Sequence, residues 1–196
     1  MEPITLTTER LLLRPFEPRD ADEVHAACQA PDIQRWTIIP SPYSRADAEL
    51  FVGELSPQGW RDDTMFSFAV TARDGGPVTG ALGINRHSLP GTYEVGYWTA
   101  PDHRGRGFTT EAVLAAARWT FTALAADRLE WRTEVGNTAS RAVALRAGFR
   151  MEGEQRSALL NKGTRRDTWN GALLPADLGL PGTHPYLPAP DVSGAL

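Results

Sequence analysis

The residue pattern predicts one domain of the α/β (α+β) class, with about seven strands and the helices between them. Three observations lead there. Hydrophobic periodicity runs in the order strand, two helices, three strands, helix, strand, helix, two strands. A glycine- and arginine-rich turn, Arg104-Gly105-Arg106-Gly107-Phe108-Thr109, joins the fourth strand segment to the longest helical pattern. And 196 residues suffice for one domain with a sizeable core but are short for two.

The elements follow from local chemistry. Residues 4–14 read as a strand ended by Pro15, and residues 20–30 as a helix entered through acidic residues and stopped before Pro31. A loop of aromatics and prolines comes next. Ser44 with Asp47 sets a helix start, and Leu50, Phe51 and Leu55 give it an apolar stripe that Pro57 ends. Residues 65–71 and 77–85 are strands about the Asp74-Gly75-Gly76 turn, a hairpin signal. Residues 93–98 form the next strand, which runs into the arginine–glycine turn. Residues 110–126 form the longest helix, with Val113, Leu114, Ala117, Phe121 and Leu124 on one face. Residues 129–135 alternate: Leu129, Trp131, Thr133 and Val135 share one side, Glu130, Arg132 and Glu134 the other. A helix over 138–147 has Gly148 where a left-handed residue is wanted, with Phe149 packing back. Two strands flank Asn161-Lys162-Gly163. Residues 180–196 are rich in proline and glycine, a composition expected to stay loose.

The turn at 104–109 has the makings of a pyrophosphate cradle. Two glycines let the backbone aim consecutive N–H groups at one anion, and the following helix adds the positive end of its dipole. Arg104 and Arg106 put charge at the rim. A P-loop needs Gly-Lys-Ser/Thr and a dinucleotide loop needs Gly-x-Gly-x-x-Gly, and neither is present.

The turn resembles the pyrophosphate loop of the GNAT superfamily of acyl-CoA-dependent N-acyltransferases, whose pattern is Arg/Gln-x-x-Gly-x-Gly/Ala. Arg104, Gly107 and Thr109 fall on its fixed positions. Thr109 stands where Gly or Ala is usual, with a hydroxyl able to contact a phosphate or cap the helix. Further stretches resemble the branch that includes RimJ/RimL-type N-terminal acetyltransferases of ribosomal proteins: Thr8 to Phe16 with Asp20-Ala21-Asp22, Glu94 to Trp98, Asn137 to Ser140 leading to Ala147-Gly148-Phe149, and Gly163 with Arg166-Asp167. The likeness covers roughly residues 5–178. It implies a GNAT domain over 1–178 built on a single mixed, mostly antiparallel twisted sheet of about seven strands with helices on both faces, a tail over 179–196, and a V-shaped acyl-CoA cleft where the strands before and after the long helix splay apart. Trp98, Thr99 and Ala100 would offer backbone to the pantetheine of acetyl-CoA, with the thioester near Trp98. Residues Arg104, Gly105, Arg106, Gly107, Phe108 and Thr109 would hold the pyrophosphate.

Acyl transfer to an amine requires a deprotonated amine, a stabilised oxyanion and a departing thiolate, with no enzyme nucleophile. Period-two alternation puts Glu94 on the face of Trp98, so Glu94 is the candidate base, through a water; the alternative is a glutamate paired with an arginine of a neighbouring strand. Many family members carry a tyrosine four residues before the Gly of Gly-Phe, and here that position is Ala144. Ser140 is the polar group this branch is thought to use instead, or else an ordinary first-turn residue. Asn137 resembles the cofactor-contacting asparagine and is equally a helix N-cap. Trp36 and Tyr43 lie where relatives line the acceptor pocket. Trp60, Trp119, Trp131 and Trp169 read as core or interface.

Composition narrows the partners. The net charge is −4, Lys162 is the one lysine, and no basic block suggests nucleic acid. No apolar run is long enough for a bilayer, the start lacks a signal-peptide core, and Cys28 is the sole cysteine, so the expectation is a cytoplasmic protein without disulfides. His25, His87, His103 and His184 show no ligand spacing, so no metal is expected. The implied acceptor is a primary amine, either a protein or peptide N-terminus or a small molecule; other acyl groups such as succinyl stay open. The family also implies a homodimer, by analogy. Two other functions stay open: an acyl-CoA sensor or scaffold that does not turn over, and a nucleotide-binding module.

Overall fold

A computed structural model describes residues 1–189. Its centre is an eight-stranded sheet in the order β1-β2-β3-β4-β5-β6-β8-β7, where β1 is Leu6–Thr7, β2 Leu11–Arg14, β3 Met65–Ala72, β4 Gly80–Arg86, β5 Thr92–Thr99, β6 Arg128–Glu134, β7 Arg150–Asn161 and β8 Thr164–Leu173. Every neighbouring pair is antiparallel except β5 with β6. That parallel pair needs a crossover, supplied by the long helix Phe108–Ala123.

The helices are α1 Ala21–Cys28, α2 Pro31–Trp36, α3 Arg45–Leu50, α4 Ser56–Arg61, α5 Phe108–Ala123 and α6 Thr138–Arg146. Under α5 and α6 the sheet buries Leu11, Leu13, Phe66, Phe68, Leu82, Ile84, Val95 and Trp131. On the opposite face Phe16, Val24, Ile33, Val52, Ala69 and Ala81 form a second core beneath α1–α3. Among the described residues no helix is long and apolar enough to cross a membrane.

Four expectations are corrected. Residues 4–14 make two strands, hence eight in all: the chain doubles back at residues 8–10, where Thr8 N–H bonds the Leu11 carbonyl and Thr8 Oγ1 accepts from Leu11 N–H, each at 2.9 Å. Pro31 starts α2 at its first turn, where proline loses no hydrogen bond, so Trp36 ends a helix and does not open a loop. Pro57 does not end the helix capped by Ser44 and Asp47. The chain passes through a π-helical turn, Phe51–Leu55, into α4, and that wider turn absorbs the missing proline N–H. Finally, the tail is pinned at its start: Thr183 N–H and His184 N–H donate to Asp127 Oδ1 at 3.1 and 3.0 Å. The rest of the expected loose segment, 190–196, lies outside the described residues.

What matters for function is where the parallel pairing stops. Its register runs from Thr92↔Arg128 to Val95↔Trp131, yet β5 continues to Thr99 and β6 to Glu134. The two strands diverge beyond Val95, the splay expected from the resemblance.

Phe68 has 0% exposure and sits edge-on to Trp60 and Trp119, at 5.2 and 5.7 Å between ring centroids. Phe68→Ala should lower unfolding free energy by about 3–5 kcal/mol, read from urea denaturation. A loss under about 1 kcal/mol would show that the aromatic cluster does not carry this face of the sheet.

Candidate active site

Beyond β5 a short helical turn, Pro101–His103, leads into the arginine–glycine loop. Gly105 and Gly107 take φ of 73° and 77°, left-handed values that a side chain would strain. Gly107 caps α5 and its carbonyl accepts the Glu111 N–H at 3.1 Å, leaving the earlier amides of the helix without intrahelical acceptors. Among the described residues, the amides of Gly105, Arg106, Gly107, Phe108, Thr109 and Thr110 have no hydrogen-bond partner. Residues 105–107 are exposed. This is a concave run of donors at a helix dipole's positive end, suited to a diphosphate.

The side chains around the loop brace it. Arg10 donates to the Arg106 carbonyl at 3.0 Å and to Glu111 at 2.7 Å, with its guanidinium 5.1 Å from the Phe108 ring centre. Arg104, expected at the anion, donates through Nε to the Thr99 carbonyl at 3.0 Å and pairs with Asp32 at the start of α2. Its charge is therefore spent on fastening the loop to β5 and α2, and it holds the Asp32 carboxyl below its usual range. Arg106 makes no ion pair among the described residues and remains exposed beside the loop. Thr109 Oγ1 lies 2.6 Å from Thr99 Oγ1, so the hydroxyl at the family's small-residue position ties α5 to β5 instead of reaching an anion or capping the helix.

At the splay, alternation decides which backbone groups of β5 are open. Ala100 N–H bonds the Thr79 carbonyl at 2.9 Å, and the register pairs Gly80 with Thr99. The main-chain groups of Trp98 and Ala100 therefore face β4, and those of Tyr97 and Thr99 face the cleft. Of the three residues expected to offer backbone, Trp98 and Ala100 turn theirs to β4, whereas Thr99 turns its N–H to the cleft beside Tyr97, its carbonyl already taken by Arg104 Nε. The Trp98 ring instead packs on the core beneath α1–α3.

Tyr97 reaches across the splay to α6. Its O–H donates to the Ser140 carbonyl at 3.0 Å, and Ser140 Oγ donates to Tyr97 Oη at 3.2 Å. Trp131 Nε1–H donates to Ser140 Oγ at 3.0 Å. Burial pushes the Tyr97 hydroxyl up to about 12, a rise that the neighbouring Ser140 and Trp131 donors oppose. Asn137 is the N-cap: Oδ1 accepts from Ser140 N–H at 3.2 Å and Nδ2 donates to Thr133 Oγ1 at 3.0 Å. Its side chain is committed to shaping α6.

On the other face, Glu94 and Asn85 are cross-strand partners, as are Gly83 and Gly96. Gly96 has no heavy atom within 4 Å of where a Cβ would stand, so β4 and β5 offer a bare floor beside Glu94. Glu94 pairs with Arg132 of β6 at 3.1 Å, the neighbouring-strand arginine contact. Burial raises the Glu94 carboxyl above its usual range; Arg132 opposes the rise and Glu130 adds to it. Trp36 is half-buried under the Arg35 guanidinium, 4.3 Å from its ring centre, and reaches within 3.7 Å of the Cβ position at Gly136, beside the splay. Tyr43 is 5% exposed inside the second core and lines no cleft.

Sequence reasoning missed the frame of this face. Glu134, 6% exposed, takes Arg35 at 2.8 and 2.6 Å. Lys162, at the tip of the β7–β8 hairpin, donates to the carbonyls of Gln34 and Thr37. Glu134 carried one signal, a carboxylate on a strand that ends buried; Arg35 and Lys162 carried none, because their partners lie about a hundred residues away.

Fold and splay are those expected of an acetyltransferase of the GNAT kind. The chain belongs to the GNAT acetyltransferase family: the acetyltransferase (GNAT) domain matches residues 10–150. By class it is an N-acetyltransferase. It is 30% identical to the uncharacterised N-acetyltransferase p20 of Bacillus licheniformis over 175 residues, 87% of this chain and 96% of that one. It is 27% identical to the N-acetyltransferase YoaA of Bacillus subtilis over 83% of this chain and 92% of that one. Among solved structures, RimJ of Mycobacterium smegmatis in complex with a CoA-disulfide superposes with a TM-score of 0.79 at 25% identity, over 91% of this chain and 92% of that one.

The Arg35 pair holds the Glu134 carboxyl below its ordinary value, so the pair stabilises the fold above the unfolded-state pKa of about 4.3 and that contribution fades as pH falls through the lower folded value. Glu134→Gln should lower stability at pH 7 and flatten its decline between about pH 5 and 3, measured by denaturant midpoints. A variant whose midpoints fall in parallel with the wild type would contradict this.

Proposed function

We propose that the protein transfers an acetyl group from acetyl-CoA to a primary amine by direct attack. The observation that carries the reading is the run of unpartnered amides from Gly105 to Thr110, continuous with the open edge of β5 at Tyr97 and Thr99. The loop would take the diphosphate, and the edge of β5 would pair with the pantetheine and place the thioester in the splay. Phe108 and Thr109 contribute main chain from the first turn of α5; Arg104 acts by holding the loop.

The acceptor would enter over the Gly83–Gly96 floor, with Trp36 at its side. Glu94 lies on that floor, and its raised carboxyl is a stronger base than an ordinary glutamate. It would take the ammonium proton through a water. Arg132 keeps enough of the carboxyl ionised to do so. The amine then forms the N–C bond, the oxyanion collapses, and the C–S bond breaks with its electron pair going to sulfur. The resemblance to RimJ/RimL-type N-terminal acetyltransferases favours the α-amine of a protein or peptide N-terminus over a small amine, and the acetyltransferase family favours acetyl over a larger acyl group. The same likeness favours action in the cytoplasm.

A panel of N-terminal peptides and small amines, assayed by thiol release from acetyl-CoA, tests the reading directly. At least one amine should turn over. Glu94→Gln should then lower kcat by about a hundred-fold or more, with acetyl-CoA affinity little changed; equal losses in both would remove Glu94 from the role. Acetyl-CoA and CoA, but not ATP, should raise the melting temperature. Stabilisation by acetyl-CoA with no turnover across the panel would favour a sensor, to which Ala144 in the tyrosine position lends support.

Arg132→Gln gives the pH test. Arg132 is the cation that pulls the Glu94 carboxyl down, so its removal should move the acidic limb of kcat/KM to higher pH. An unmoved limb would assign that limb to another group.

A further inference from the structure

The Tyr97 side chain plays no part in the chemistry above, yet it stands on β5 just past Val95, where pairing with β6 ends. Its hydroxyl has two acceptors within reach: the Ser140 carbonyl at 3.0 Å, where its proton lies, and Ser140 Oγ at 3.2 Å. Exchanging one for the other needs only rotation about the phenolic C–O bond. Trp131, buried in the core, meanwhile fixes Ser140 Oγ through Nε1–H at 3.0 Å. A serine hydroxyl has one hydrogen to give and two lone pairs to fill. While Ser140 donates to Tyr97, its hydrogen is unavailable to anything in the cleft.

We propose that Tyr97 is a positioning residue that releases the Ser140 proton at the moment the thioester breaks: as charge builds on sulfur, the Tyr97 O–H turns from the Ser140 carbonyl to Ser140 Oγ, and the Ser140 O–H turns from Tyr97 to the sulfur. Ser140 Oγ then accepts from both Trp131 and Tyr97 and donates to the thiolate, using its full capacity. The proposal rests on the acetyl-CoA reading. No proton changes owner. The N–C bond forms, the C–S bond breaks, the electron pair stays on sulfur, and two hydroxyls redirect their hydrogens.

Hydrogen bonding suffices because a thiol of pKa about 8.5 is a stronger acid than either hydroxyl, so full transfer from Ser140 or Tyr97 to the thiolate would run uphill. A chain of two hydroxyls also polarises the terminal donor more than one alone. The absence of a tyrosine at 144 is thereby met from the opposite side of the cleft, by a tyrosine on the strand.

The test compares wild type, Tyr97→Phe, Ser140→Ala and the double variant on acetyl-CoA and on its selenoester counterpart, whose leaving group is the weaker base. Phenylalanine keeps the ring, and thermal melts report folding. With acetyl-CoA, Tyr97→Phe should lower kcat by about ten- to a hundred-fold at unchanged KM for the donor. The loss should shrink on the selenoester, and the double variant should be no slower than Ser140→Ala. Wild-type turnover of acetyl-CoA by itself carries the underlying reading. Given that turnover, the switch is overturned by full activity of Tyr97→Phe, by equal losses on both donors as expected of a clip that merely holds α6, or by losses that multiply in the double variant.

Discussion

An α-helix cannot satisfy its own first amides, and in this protein α5 begins where the chain adds still more unpaired donors to that deficit. Two left-handed glycines turn the backbone so that, among the described residues, the amides from Gly105 to Thr110 meet no internal acceptor. In water they are solvated at little cost; around an anion they become a single charge-seeking surface. The rest of the site follows from holding that surface still. The α5 crossover that presents it also forces β5 and β6 to run parallel, and their divergence after Val95 opens the cleft into which the surface leads.

The side chains near the loop make sense as braces more than as ligands. Arg10 reaches from the β1–β2 turn to the Arg106 carbonyl, Arg104 reaches to Asp32 on α2, and the Thr99–Thr109 pair locks helix to strand. Each comes from a different element, so the donor run is held from three directions. The exposed ion pairs contribute little stability individually. Their value is to preorganise donors that would otherwise lose entropy on binding. The opposite face shows the same economy: the Arg35–Glu134 pair and Lys162 tie α2 to the terminal sheet, which sets Trp36 beside the cleft.

Periodicity was enough to find most elements, because the long helix and the alternating strand after it bury one face each. It failed where polar turn chemistry interrupts an apolar run. Thr8 folds residues 4–14 into a hairpin through a hydrogen bond that periodicity does not register, and Pro31 and Pro57 sit at positions where a missing N–H is harmless. In the site, the glycine loop was legible because positive φ leaves a mark on composition. Alternation placed Glu94 on its face but could not show that Arg132 faces it. The resemblance named Trp98, Thr99 and Ala100 as offering backbone; the register with β4 turns Trp98 and Ala100 away and leaves Tyr97 and Thr99 toward the splay, since a shift of one residue reverses which strand the main chain addresses. Tyr43 reads as a pocket residue because related enzymes line the acceptor pocket with this loop, and the core beneath α1–α3 claims it.

The central claim is that the amides of residues 105–110 grip the diphosphate of coenzyme A. Backbone ¹⁵N–¹H spectra recorded during titration test it most directly. The account predicts that CoA moves the resonances of Gly105, Gly107 and Phe108 strongly, as phosphate oxygens accept their hydrogens, whereas acetyl-pantetheine, which lacks the diphosphate, leaves them in place while shifting Tyr97 and Thr99. Saturating CoA that left the loop resonances unmoved would contradict it.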